Sequence, residues 1–241
     1  MPTDKPDVVL IHGTGAEGGL WASQIDLLVK EGHRCLVPEL RGHGQTPEPG
    51  EPTDIEVHIN DVLETLDACD VKYPAIFVGH SLGAIISVVL AQSRPELFVK
   101  ILAVSLPGKV LGLVSKAFSI IVSYPFEHLR GSILHRSLSK RHQILFSTDR
   151  HSLQQIVHHF KRLNLVEQRL NISCPVHFCV GRLDFVAPYF YVQRMHQALP
   201  NSDLRIFEWA GHCCMDDQTE QFNSWLKEKV CDAVVNQALV R

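Results

Sequence analysis

Six short runs rich in valine, isoleucine and leucine punctuate this chain, and most of the gaps between them carry apolar residues at every third or fourth position. The runs at 7–12, 34–38, 75–79, 99–105, 175–180 and 203–207 are too short for helices. Most are also too uniformly apolar for strands with one wet face, so they suit strands buried on both sides. The stretches 20–30, 53–68, 81–92, 189–199 and 218–238 repeat with the period of a helix. In 53–68 the apolar members are Ile55, Ile59, Val62, Leu63 and Leu66, with Thr53 or Asp54 available to cap the N-terminus. Strand, crossover helix and strand in alternation predict an α/β fold: a mostly parallel sheet of about six strands with helices on both faces. One stretch, 106–166, breaks the alternation with short amphipathic segments rich in His, Arg and Ser. It reads as a small helical cap inserted into a core made of 1–105 and 167–241.

Composition narrows the setting. A chain of 241 residues that is 45% apolar and 20% charged can bury one sizeable core. Its 26 acidic and 23 basic side chains leave a formal net charge of -3, and no basic run could track a phosphate backbone, which speaks against nucleic acid as a partner. The N-terminal Met1-Pro2-Thr3-Asp4-Lys5 lacks the character of a signal peptide. The most lipid-like window, 110–126, is interrupted by Gly112 and Lys116 and falls short of the ~20 apolar residues a spanning helix needs. Seven scattered cysteines, an odd number, fit a reducing cytoplasmic compartment, and their spacing is not that of a zinc site. The expectation is a soluble cytoplasmic protein without metal or membrane span. Its oligomeric state is left open.

The chemistry is concentrated in a pentad, Gly79-His80-Ser81-Leu82-Gly83, between an apolar strand and an apolar helix. Glycines on either side permit a sharp strand-to-helix turn that pushes the serine hydroxyl above the sheet, with a helix N-terminus beneath it. A serine hydroxyl is a weak nucleophile and needs a base, which in turn needs an orienting carboxylate. Asp184 follows the strand at 175–180 and His212 follows the strand at 203–207, so both leave the sheet on the edge where Ser81 emerges. Ahead of them, His12-Gly13-Thr14-Gly15 ends the first strand. Its glycines let backbone amides turn toward the same edge, and the N–H groups of Thr14 and Leu82 are the expected oxyanion donors.

Taken together, these motifs resemble a serine-type α/β-hydrolase over nearly the whole chain, including the turn Arg41-Gly42-His43-Gly44. Only about six residues precede Asp7, where that family usually has two further antiparallel strands, so the resemblance implies a trimmed sheet, similar to the plant methyl esterases and hydroxynitrile lyases. Glu39-Leu40 stands where Asp-x is common before Arg-Gly. The implied activity is hydrolysis of a small hydrophobic carboxylic ester through an acyl-enzyme, with Ser81, His212 and Asp184 as the triad and no cofactor. A thioesterase or carbon–carbon bond hydrolase would use the same triad, and a silent small-ligand binding protein is a third reading. A hydroxynitrile lyase fits less well, because that subfamily uses Thr where Gly13 stands and Lys where Cys213 stands. Ser81 excludes the aspartate-nucleophile dehalogenases and epoxide hydrolases.

Competing residues have plainer readings. His80 and His43 are expected to support the turns that carry them. Asp216 and Asp217 are expected to start the final helix, where acids suit the positive end of the dipole. Trp21 and the cap residues Phe118, Ile120, Ile121 and Tyr124 are candidates both for a pocket lining and for ordinary packing.

Overall fold

A computed structural model describes residues 5–46, 53–123, 132, 143–145, 148–160 and 162–232. Each apolar run forms a strand: β1 (Val8–Ile11), β2 (Cys35–Leu36), β3 (Ala75–His80), β4 (Phe98–Val104), β5 (Val176–Gly181) and β6 (Ser202–Phe207). They pair in the order β2-β1-β3-β4-β5-β6, every neighbouring pair parallel. β2 keeps only two residues of the expected run. Pro38 has no amide to offer a ladder, and pairing stops before it.

The helices are α1 (Ala22–Lys30), α2 (Ile55–Ala68), α3 (Leu82–Ser93), α4 (Gly112–Ser123), α5 (Arg150–Phe160), α6 (Tyr189–Ala198), the short α7 (Cys214–Asp217) and α8 (Thr219–Cys231). Asp54 caps α2, accepting from the Val57 amide at 2.9 Å. The expected start of α1 is instead a 3-10 turn, Gly18–Trp21. The final helix begins at Thr219, so Asp216 and Asp217 belong to α7; the part expected beyond 232 lies outside the described residues.

Side-chain alternation explains why the strands are apolar throughout. Val9 and Ile11 face a layer that includes α2, α3 and α6, while Val8 and Leu10 face α1 and α8. All four are 0% exposed, each contributing about 1.5–3 kcal/mol of burial. Trp21 is buried in the second layer. Within the insertion, α4 packs on α5. Ile120 is 65% exposed; Tyr124, like 125 and 126 of the lipid-like window, lies outside the described residues, as do the side chains of Phe118 and Ile121.

The order 2-1-3-4-5-6 makes the chain depart in opposite directions from β1 and β3, which opens a crevice above their carboxyl ends. Glycines set the closeness there. A Cβ on Gly83 would fall 2.2 Å from the Ile11 carbonyl oxygen, so the first turn of α3 rests directly on the end of β1. Gly83→Ala is expected to cost about 3 kcal/mol, because backbone must move to admit the methyl group. Urea titration reads this as a lower midpoint at unchanged slope; an unshifted midpoint would show that the contact relaxes freely.

Candidate active site

Ser81 is held at φ 51°, ψ -109°, a left-handed conformation that costs a non-glycine residue energy and persists only when its surroundings demand it. The demand is visible. The Ser81 amide donates to the Val104 carbonyl at 3.0 Å, and its own carbonyl receives the Ala84 and Ile85 amides. A Cβ on Gly79 would fall 2.3 Å from the Gly83 oxygen, so strand and helix meet as tightly as backbone allows. The amides of Leu82 and Gly83, at the first positions of α3, remain without acceptors among the described residues. They add the partial positive charge of a helix N-terminus beside the hydroxyl.

Two further loops close on Ser81. The loop after β5 and the loop after β6 are bonded to each other: Arg182 N to Phe207 O at 2.8 Å, Leu183 N to Ala210 O at 3.0 Å, and the Arg182 guanidinium on the Glu208 carboxylate. A Cβ on Gly181 would meet the Ala210 and Gly211 oxygens at 2.2 and 2.3 Å, so no other residue permits this approach. The result is a hydrogen-bonded line. His212 Nε2 lies 3.0 Å from Ser81 Oγ, and His212 Nδ1 lies 2.9 Å from Asp184 Oδ2. Asp184 Oδ1 accepts from the amides of Val186 and Ala187 at 2.9 and 2.8 Å. Burial alone would raise the Asp184 carboxyl, but the His212 partner and those two amides outweigh it and hold the group below its ordinary value. Asp184 is therefore a buried carboxylate that remains ionised at neutral pH.

The fourth component is the turn after β1. A Cβ on Gly13 would lie 3.0 Å from Ser81 Cβ, which brings the turn directly against the elbow. The Gly13 carbonyl is held by the Ala16 amide at 3.2 Å and by His12 Nδ1 at 2.9 Å. In a trans peptide the N–H points opposite the C=O, so the Thr14 amide on the same peptide faces away from both anchors. The structure thus gathers Ser81, Asp184, His212, Thr14 and Leu82 at one sheet edge.

The model of the alpha/beta hydrolase family matches residues 8–225. The chain belongs to that family. An Escherichia coli O1:K1 / APEC protein named "Putative carbamate hydrolase RutD" is 24% identical over 242 residues, covering 92% of this chain and 90% of that protein. Among solved structures, the enol-lactonase from Burkholderia xenovorans LB400 superposes with a TM-score of 0.81 at 20% identity, over 94% of this chain and 91% of that one. The esterase EaEST from Exiguobacterium antarcticum gives 0.81 at 20% identity, over 95% and 93%. At these identities the structural likeness is one of fold. The family match supports a hydrolytic enzyme.

Several residues of this alpha/beta hydrolase have closer connections than their sequence context suggested. His80 Nε2 reaches the His212 carbonyl oxygen at 3.0 Å, and the two rings lie 5.0 Å apart between centroids. It supports the His212 loop from below. Asp217 accepts the Gly211 amide at 2.8 Å, so it braces that same loop as well as ending α7. Glu39 accepts the Gly18 amide and lies 2.8 Å from His12 Nε2. None of these contacts has a motif: those of His80 and Glu39 join residues brought together by the sheet, and that of Asp217 spans six residues of one loop.

His58 on α2 is 1% exposed, and neither ring nitrogen has a hydrogen-bond partner among the described residues. Burial, the dominant cause, pushes its pKa down to about 4 from 6.5. Folding therefore holds the neutral ring, while the unfolded chain takes up a proton below pH 6.5. The stabilisation is complete above that pH and is lost as the pH falls toward the folded value. Between pH 7 and pH 5 this group alone should remove about 2 kcal/mol. Denaturant titrations at both pH values are expected to show a smaller loss in His58→Leu than in the parent. Equal losses would place the acid sensitivity elsewhere.

Proposed function

We propose that this protein is a serine hydrolase that cleaves a carboxylic ester through an acyl-enzyme. The observation that carries the reading is the line Ser81 Oγ, His212 Nε2, His212 Nδ1, Asp184 Oδ2, with contacts of 3.0 and 2.9 Å. His212 takes the Ser81 proton on Nε2 as Oγ attacks the ester carbonyl carbon. Asp184 keeps the proton of the resting ring on Nδ1 and stabilises the imidazolium that forms. The amides of Thr14 and Leu82 receive the oxyanion, whose charge exists only in the tetrahedral state, so the interaction lowers the barrier rather than merely binding substrate. His212 then gives the proton to the departing alkoxide, and the acyl group remains on Ser81. Water, deprotonated by His212, attacks in turn and releases the acid. Each proton and electron pair is accounted for by these groups, with no call on a metal or organic cofactor.

In this reading residues 106–166 act as a cap over a core formed by 1–105 and 167–241, and they select the substrate. The apolar stretch 110–126 supports a hydrophobic acyl or alcohol group. Seven cysteines, all free thiols, support a reducing compartment such as the cytoplasm. No helix among the described residues is long and apolar enough to cross a membrane.

Two measurements test the proposal. A fluorophosphonate should label Ser81 covalently, and p-nitrophenyl esters of graded chain length should be turned over with a burst of nitrophenol. Carbamates, thioesters, lactones and carbon–carbon substrates on the same panel decide the bond that is cleaved. An unlabelled Ser81 with no turnover would favour a silent binding protein.

A further inference from the structure

His43, expected from the sequence to support the turn that carries it, is only 1% exposed. Its Nε2 lies 3.0 Å from the Gly15 amide and its Nδ1 lies 2.9 Å from the Arg41 carbonyl oxygen. An amide can only donate and a carbonyl can only accept. The ring is therefore neutral, with its one proton on Nδ1 and its lone pair on Nε2 aimed at Gly15. Burial keeps it in that form, pushing its pKa down to about 3, with the neighbouring His12 ring 5.3 Å away acting in the same direction. The hydrogen bond to Arg41 works against them, His58 lowers it further and Glu39 raises it.

Gly15 is the residue after Thr14. The Gly13–Thr14 peptide is anchored through its carbonyl, by Ala16 and His12. The Thr14–Gly15 peptide is anchored by His43 through its amide. With both planes held, the torsions at Thr14 have no freedom left, and its N–H has one direction. Gly15 sits at φ +68°, a conformation glycine enters without strain but also leaves without strain, so an external anchor is needed to keep it there.

The same turn also seats the insertion. The Gly42 carbonyl accepts the Asp149 amide at 3.1 Å, just ahead of α5, and a Cβ on Gly42 would meet Ser152 Oγ at 2.0 Å. On the other side, a Cβ on Gly15 would meet the Leu145 side chain at 2.2 Å. His43 thus stands between the elements that cover the site and the turn that supplies an oxyanion donor.

We propose that His43 is a positioning residue for the oxyanion site, a neutral imidazole that fixes the Thr14 amide by holding Gly15. The proposal rests on the serine hydrolase reading above. It separates from a packing role by what it does to the transition state. His43→Leu removes the acceptor for Gly15 and should lower kcat about 10- to 100-fold, somewhat less than outright loss of an oxyanion donor, with KM changed by less than about threefold. The inhibition constant of a trifluoromethyl ketone, which forms a tetrahedral adduct on serine, should rise by the same factor as kcat falls. His43→Gln places an amide oxygen where Nε2 was and should recover most of the loss. If His43→Leu fails to fold, His43→Asn carries the comparison, because its side chain stays near the Arg41 carbonyl but ends short of Gly15. A folded variant with parental kcat, or one that loses only KM, overturns the proposal. Fluorophosphonate labelling of the unsubstituted protein keeps the two failures apart. If Ser81 is labelled there and the variants turn over normally, only the role of His43 falls; if it is not labelled, the hydrolase reading falls first and takes this one with it.

Discussion

Ser81→Ala is expected to lower kcat by about 10⁴-fold or more while leaving the fold intact. The hydroxyl is the only group in the line that can form the acyl bond, so His212 and Asp184 have nothing to activate once it is gone. What survives is the proposed donor pair at Thr14 and Leu82 and substrate binding, which together support slow attack by water. Stability should hardly change. Alanine keeps the Cβ and therefore the strain at φ 51°, and the backbone contacts of residue 81 are untouched. Circular dichroism should match the parent, and fluorophosphonate labelling should vanish. Turnover within tenfold of the parent would remove Ser81 from the mechanism.

Asp184→Asn is expected to approach the same loss, about 10⁴-fold in kcat, with an almost unchanged structure. The remaining Oδ1 still accepts from Val186 and Ala187, so the loop holds its shape. The nitrogen now facing His212 Nδ1 is a donor. The imidazole answers by presenting its lone pair there and moving its proton to Nε2, where it points at Ser81 Oγ. A ring in that tautomer cannot take the serine proton. KM should stay close to the parental value, because the substitution touches no substrate group. A loss below about tenfold would mean that another group orients His212.

Much of the fold is legible in the sequence. The strands are buried on both faces, so Val8 to Ile11 must all be apolar, and a continuous apolar run of that length is hard to read as anything else. Ser81, Asp184 and His212 each stand at a strand end, and in a parallel sheet strand ends share an edge. Boundaries were less legible. β2 stops at two residues because Pro38 cannot pair, and α1 begins after a 3-10 turn that has no apolar period of its own. In the final segment the apolar pattern does not distinguish α7 from α8, since both pack on the same layer.

The supports of the site divide differently. Local chemistry along the chain is enough to single out Ser81, His212 and Asp184 as the proposed nucleophile, base and acid, because glycine, serine and strand-end positions act over a few residues. His43 on Gly15, His80 on the His212 carbonyl and Asp217 on Gly211 are hydrogen bonds that carry no signature in the chain. Two of them join residues 28 and 132 positions apart, and their partners are backbone groups, which every residue possesses. The sequence alone singled out the side chains proposed to react. Only the folded sheet decided which residues hold those side chains at bonding distance, because that distance depends on how closely glycine lets one strand end approach the next.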